Sequence, residues 1–309
     1  MFKFIVKRFG YMLLTLFIAC SITFFLIRLM PGDPLAAMGR SLPEQVRINY
    51  MAKYGLDKPL LVQYGLFWKN FLHGNLGESL QYPGRTVIDV IKQHAPISAR
   101  VGGQGLIIGV SLGIVLGILA AFNRGKWIDG GVMIFAVIGI SVPSFVMASL
   151  LQFIFAVNLR LFPVIGWGEF KHTVLPSLAL SFGSIAIYAR YLRANCLDVI
   201  GQDYILTAKA KGVSNISLVV KHIIRNAILP AITILGTQVI NIFTGSIVVE
   251  SMFSVPGLGK YYTEAILAND YSMVMGETVF ITAMFIFAVF MIDILYSLID
   301  PRIRLAGKR

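Results

Sequence analysis

Four polar residues, Thr237, Gln238, Asn241 and Thr244, sit inside a long apolar run of this 309-residue sequence. Thr237, Asn241 and Thr244 recur at steps of four and three, which places them on one helix face, with Gln238 and Gly245 flanking it. Polar side chains are costly against lipid, so such a face meets protein or water. It either lines a polar path or forms hydrogen bonds between helices, and the pattern alone does not choose. Other strings suggest chemistry and then fall short of it. Gly257-Leu258-Gly259-Lys260-Tyr261 is the nearest approach to a phosphate loop, but it lacks the first glycine at the required spacing and a Ser/Thr after the lysine. Hydrolysis of ATP by this chain is therefore not expected. Gly139-Ile140-Ser141-Val142 fits the G-x-S-x string of intramembrane serine proteases. That chemistry needs a histidine on a neighbouring span, and His73, His94, His172 and His222 all fall outside the expected spans. An ion-coupled carrier needs ionisable groups near the membrane midplane. Asp293 is the only carboxylate well inside an expected span, about two turns from its end, and reads as a structural partner for an arginine on the fourth span. Cys20 and Cys196 stand apart with no C-x-x-C, so neither a metal site nor a disulfide framework is expected.

The elements that position these residues are read from composition. The chain is 57% hydrophobic and 14% charged, against about a quarter charged in soluble proteins. The apolar residues gather in runs long enough to cross a bilayer, about 20 residues each. Six are expected: 9–30, 97–122, 131–157, 174–189, 228–249 and 278–299. The first follows Lys3, Lys7 and Arg8, is too long for a usual signal-peptide core and precedes no clear cleavage site, so it reads as an uncleaved helix. Six spans put both termini on one side. The segments 1–8, 123–130, 190–227 and 300–309 hold 15 Lys/Arg and 4 Asp/Glu, whereas 31–96, 158–173 and 250–277 hold 10 of each. Positive residues concentrate inside, so both termini are expected in the cytoplasm. The same distribution accounts for the net charge of +12 without nucleic acid. The expected organisation is a cytoplasmic N-terminus and first helix (1–30), an extracytoplasmic segment (31–96), and a five-helix core (97–309) with a cytoplasmic loop at 190–227.

Within the 31–96 segment, Pro31-Gly32-Asp33-Pro34 marks a turn. Leu61, Tyr64, Trp68 and Phe71 recur at helical spacing, giving an aromatic face suited to a membrane interface, in a segment that reads as part of a platform for a partner protein, as a small packed cap holding the spans together, or as both. Gly105, Gly109, Gly113 and Gly117 recur every four residues in the second span and let a neighbouring helix approach closely. Pro143 should kink the third span.

The loop at 203–230 is polar, basic and well patterned. Asp203 can cap a helix N-terminus, Gly212 can end that helix in a left-handed conformation, and Lys209 and Lys211 favour its C-terminal dipole. A helix of about two turns is expected over 204–211, with a second amphipathic segment over 213–225. Ala208 and Gly212, small and four apart, allow another surface to approach the backbone. By itself the pattern equally fits a solvated basic loop.

Thr207-Ala208-Lys209-Ala210-Lys211-Gly212, then His222-Ile223-Ile224-Arg225-Asn226-Ala227-Ile228-Leu229-Pro230, resembles the cytoplasmic loop of ATP-binding-cassette (ABC) importer permeases. That loop's motif is Glu-Ala-Ala, three residues, Gly, nine residues, Ile-x-Leu-Pro. Here Leu206 and Thr207 replace Glu and Ala, and 222–225 stand where Ile-x-Leu-Pro would fall. The departure is similar to that of the B-type permeases of oligopeptide and dipeptide importers. Gly74-Asn75-Leu76-Gly77-Glu78-Ser79, the string from Glu250 to Lys260 (Glu-x-x-Phe-Ser-x-Pro-Gly-x-Gly), and Asp300-Pro301-Arg302 resemble the same family, so the likeness runs through the whole chain.

The resemblance implies an all-α polytopic membrane protein of six transmembrane helices, with the type I ABC importer permease fold, in a bacterial cytoplasmic membrane. It implies a second homologous permease subunit, two ATPase subunits and an extracytoplasmic peptide-binding protein as partners, beside the lipid bilayer. ATP and Mg would be held by the ATPases, with no cofactor on this chain. The ATPase-coupling residues would be Asp203, Tyr204, Thr207, Ala208, Ala210 and Gly212. The pathway would be lined by Thr237, Gln238, Asn241 and Thr244, and an outer gate formed by Glu250, Met252 and Phe253. The cargo would be dipeptides or oligopeptides. Nickel and other peptide-like solutes use related permeases, and a secondary transporter or an intramembrane protease is the alternative outside the family.

Overall fold

In a computed structural model, the structure describes residues 2–29, 45, 48–49, 51–52, 55–80, 84–232 and 234–299. The turn expected at 31–34 and the tail 300–302 lie outside them, as do the side chains of Thr244 and Asp293. The described chain is all-α, its β content limited to one isolated bridge between Glu78 and Thr86. The long helices are α1 (Phe2–Leu29), α2 (Leu60–Leu72), α3 (Val87–Phe122), α4 (Trp127–Ser141) and α5 (Ser144–Leu151), the last continued by a π-helical turn at Gln152–Asn158. Then come α6 (Lys171–Ile200), α7 (Asp203–Ala210) and the short α8 (Asn215–Ser217), which runs through a π-helical stretch, Leu218–Ile224, into α9 (Arg225–Ile232). The series closes with α10 (Leu235–Met252), α11 (Leu258–Leu267) and α12 (Tyr271–Ile299). Among the described residues, four helices are long and apolar enough to cross a membrane, six if the bent pairs α4/α5 and α8–α9/α10 each count as one span.

The chain forms two compact units. One comprises 2–97 and 256–287. Its core gathers Cys20, Phe24 and Ile27 of α1, Val87, Val90 and Ile91 of α3, and Met273, Val274 and Val279 of α12. The aromatic face of α2 closes onto α1: Trp68 stacks on Phe17 at 4.9 Å, and the Tyr64 hydroxyl lies 2.7 Å from that of Ser21. Leu61, expected on this face, is instead 76% exposed. Phe67, out of the predicted set, takes the inward place beside Phe24. Asp270 secures the unit by accepting hydrogen bonds from the Ser79 hydroxyl and from the N–H groups of Leu80 and Met273.

The other unit comprises 98–255 and 288–299 among the described residues, with α6 as its central helix. The four-residue glycine repeat of α3 lies against α6. A Cβ at Gly109 would stand 2.5 Å from that of Ser184, one at Gly113 2.5 Å from that of Tyr188, and one at Gly117 2.6 Å from the Ala189 carbonyl. Backbones this close exclude any side chain, which is the packing that small residues permit between membrane helices. Pro143 does more than kink the third apolar run. It leaves Val142 extended (φ −89°, ψ 120°), and α4 and α5 diverge by 110°. Proline supplies no N–H and disfavours helical geometry in the preceding residue, so α4 must stop there. The fourth run is longer than expected: α6 continues to Ile200, through Arg190 and Arg193, into what reads as loop.

Candidate functional site

Helix α7 begins one residue earlier than its sequence suggests. Gln202 occupies the cap position without a side-chain hydrogen bond, so Asp203 is not the cap; it lies in the first turn, where a carboxylate suits the helix dipole. The C-terminus ends as expected. Gly212 has φ +73°, its N–H donates to the Lys209 carbonyl at 3.0 Å, and the Val213 N–H reaches back to Ala208 at 3.2 Å. This paired closure needs a residue that tolerates the left-handed region.

Ile205 and Ala208 point inward. They join a buried cluster with Tyr188, Leu192 and Cys196 of α6 and with Leu218, Ile223 and Ala227. Burying Ile205 completely contributes about 1.5–3 kcal/mol to holding α7 in place. The close approach foreseen at Ala208 is thus made by the chain's own helices. Asp203, Tyr204, Thr207, Ala210 and Gly212 face outward. Asn226 donates to the Tyr204 hydroxyl at 3.3 Å and ties α7 to α9. Sequence reasoning passed over Leu206 and Ile216, 62% and 80% exposed, which put bare aliphatic groups on this basic surface. Their signal was phase: Leu206 follows the buried Ile205 by one residue, about 100° around the helix.

Asp129 and Arg193 form a bidentate pair, Nε to Oδ1 at 2.5 Å and Nη2 to Oδ2 at 2.7 Å, with the Gly125 N–H donating to Asp129 at 3.0 Å. Among the described residues, Arg193 of α6 thus finds a carboxylate in the first turn of α4, while the arginine partner expected for Asp293 rests on a side chain outside them.

A cavity of about 340 Å³ opens where α4 and α5 part. Its wall includes Ile140 and Ser144 at the break, Ser184 of α6, and Gln238 and Asn241 of α10. Adjacent residues diverge on a helix, and α10 separates the polar set accordingly. Thr237 and Asn241 are exposed, whereas Gln238 is 2% exposed and its Oε1 accepts from the Ser184 hydroxyl at 2.9 Å.

Glu250 and Phe253, expected at an outer gate, are buried at 0% and 2%, and Met252 is half-buried. The Phe253 carbonyl accepts from the Gly166 N–H, which ties this corner to the loop before α6. The helices extend beyond the expected spans and take in His94 in α3, His172 at the start of α6 and His222 in the π-helical stretch before α9. For His94, the surroundings are structural. Its Nδ1 lies 2.7 Å from the Pro256 carbonyl and its Nε2 3.2 Å from Arg85, so both ring nitrogens are engaged structurally.

Residues 113–305 match the family described as the inner membrane component of binding-protein-dependent transport systems, and residues 1–84 match that family's N-terminal region. The chain belongs to this family. As an inner membrane component it is a multi-pass protein of the cytoplasmic membrane, with the all-helical importer-permease fold. It is similar to the dipeptide transport system permease protein DppB of Bacillus subtilis, 43% identical over the whole of both chains. DppB of Lactococcus lactis is 39% identical over 99% of this chain and 100% of its own. The oligopeptide transport system permease protein OppB of Salmonella typhimurium is 38% identical over 98% and 100%.

Proposed function

We propose that this chain is a permease subunit of an ATP-driven, binding-protein-dependent importer of dipeptides or oligopeptides, with both termini in the cytoplasm. The end-to-end similarity to permeases named for dipeptide and oligopeptide transport carries this reading. A second permease subunit completes the pathway, two ATPase subunits hold ATP and Mg, and an extracytoplasmic binding protein delivers the cargo. The outward residues of α7 (Asp203, Tyr204, Thr207 and Ala210, closed by Gly212) form the surface that the ATPase moves. Its apolar anchors are Leu206 and Ile216, within a rim supplied by Lys209, Lys211 and Lys221. Thr237, Gln238, Asn241 and Thr244 lie along the cargo path, and the corner at Glu250, Met252 and Phe253 borders its outer end. ATP shifts the assembly between inward- and outward-facing states only if nucleotide interacts differently with the two.

The test is uptake of a labelled tripeptide into vesicles holding the purified four-subunit complex and its loaded binding protein. Accumulation that requires internal ATP is expected. Uptake driven by a proton gradient alone, or uptake of nickel in place of peptide, would overturn the assignment.

A further inference from the structure

The break at Val142–Pro143 leaves backbone groups without main-chain partners. The Val142 N–H donates to Ile138, and the N–H groups of Val146 and Met147 to Pro143. Among the described residues, no main-chain bond is made by the carbonyls of Gly139 and Ile140 or by the Ser144 N–H, and all three residues line the cavity. Helix α4 has 15 residues, roughly 22 Å of rise, so the break lies within the depth of an apolar slab about 30 Å thick. Irregular backbone persists at that depth only where protein buries it or where it lines a polar cavity.

A second observation points to an occupant. Gln238 is 2% exposed and lines the same cavity. Its Oε1 is taken by Ser184, while its Nε2 makes no hydrogen bond with the described residues. Asn241, one turn away, adds an amide with both a donor and an acceptor. Among the described residues, no ionisable side chain lines the cavity. Its volume of about 340 Å³ is at the small end for ligand pockets, about 300–1,000 Å³.

We infer that the cavity at the α4/α5 break is a station that reads the main chain of the transported peptide, pairing the cargo's amide groups with the open backbone groups of the break and with the carboxamides of Gln238 and Asn241. The inference rests on the peptide-importer reading and adds the part of the cargo recognised. Main-chain hydrogen bonds recognise an extended peptide whatever its sequence. A site without fixed charge holds no peptide by its side-chain charge, so cargo of either sign can leave. The volume suits a short stretch of backbone passing through, not a whole long peptide.

The experiment compares tri-alanine with its depsipeptide analogue, in which an ester replaces the second of its two amides, in the reconstituted full importer with saturating loaded binding protein. The ester has no N–H and a weaker acceptor carbonyl. Wild type should import the amide at least fivefold faster. Gln238→Leu should slow the amide about fivefold and leave the ester within twofold, so that the preference collapses. Asn241→Leu, at an exposed position, should act in the same direction and gives the answer if Gln238→Leu fails to assemble. A preference unchanged by both variants, or an equal fall for both substrates, would overturn the station while leaving the importer reading intact. Absence of ATP-dependent tri-alanine uptake by wild type would remove both.

Discussion

Replacing Gly113 by alanine tests whether α3 and α6 are packed backbone to backbone. The new Cβ would lie 2.5 Å from the Tyr188 Cβ and 2.9 Å from the Ile185 carbonyl. Neither is the end of a flexible side chain, so the helices must separate. Overpacking of this kind costs about 1–3 kcal/mol, and contact with backbone puts Gly113 at the upper end. Alanine recovers up to about 1 kcal/mol of helix propensity, so the net loss is about 1–2 kcal/mol. At about 2–4 °C per kcal/mol for a unit of this size, the detergent-solubilised protein should melt roughly 2–8 °C lower. Gly103→Ala is the control: it lies in the same helix with nothing within 4 Å of its Cβ, so only the propensity gain applies and melting should hold or rise. Thermal unfolding followed by loss of soluble protein reads both. If Gly113→Ala melts at or above Gly103→Ala, the close contact of α3 with α6 is wrong.

Arg193→Ala should destabilise by an amount near the lower end of about 3–5 kcal/mol, because it strands a carboxylate that is 7% exposed while Arg193 itself is 26% exposed. The paired change Asp129→Asn with Arg193→Gln should cost less, as a double-mutant melting series would show. Gly212→Val meets no neighbour within 4 Å, so its cost is the left-handed backbone, about 1–2 kcal/mol. The permease should still insert but co-purify poorly with its ATPase, and normal co-purification with normal uptake would refute the docking role of α7. Asn215→Cys and Asn75→Cys, both exposed, should react with an impermeant maleimide from opposite sides of the membrane. Labelling from one side would overturn the six-span topology.

Some of this architecture was legible because it depends on residue size and period. The glycine repeat of α3 admits few uses other than close helix contact, and Gly212 announced the end of α7. Features set by which face an element turns inward were less legible. Ala208 looked available because it is small, yet α7 needs a buried face and spends Ala208 on it together with Ile205. Leu61 keeps the helical period of Tyr64, Trp68 and Phe71 but falls outside the arc that α1 covers. Arg190 and Arg193 looked like the end of an apolar run, but the helix continues through them, and Asp129 supplies Arg193 with a partner 64 positions away. Pro143 signalled a bend without its size, since proline fixes one break and the packing of α5 sets the angle.

The position of Gln238 shows how the outward surface of α7 and the cavity share one support. Ile205 and Ala208 of α7 rest in a cluster with Tyr188, Leu192 and Cys196, and the next turns of α6 carry Ser184, whose hydroxyl holds Gln238. Leu192 and Ser184 are eight residues apart on one helix, roughly 12 Å along its axis. Over the same length, Gly109, Gly113 and Gly117 of α3 meet α6 with no side chain between the backbones. Such an interface has little compressible material, because close-packed interiors transmit displacement more readily than they absorb it. The cluster under α7 and the hydroxyl that holds Gln238 therefore sit on one stretch of α6 that α3 braces along its length, with little slack between them.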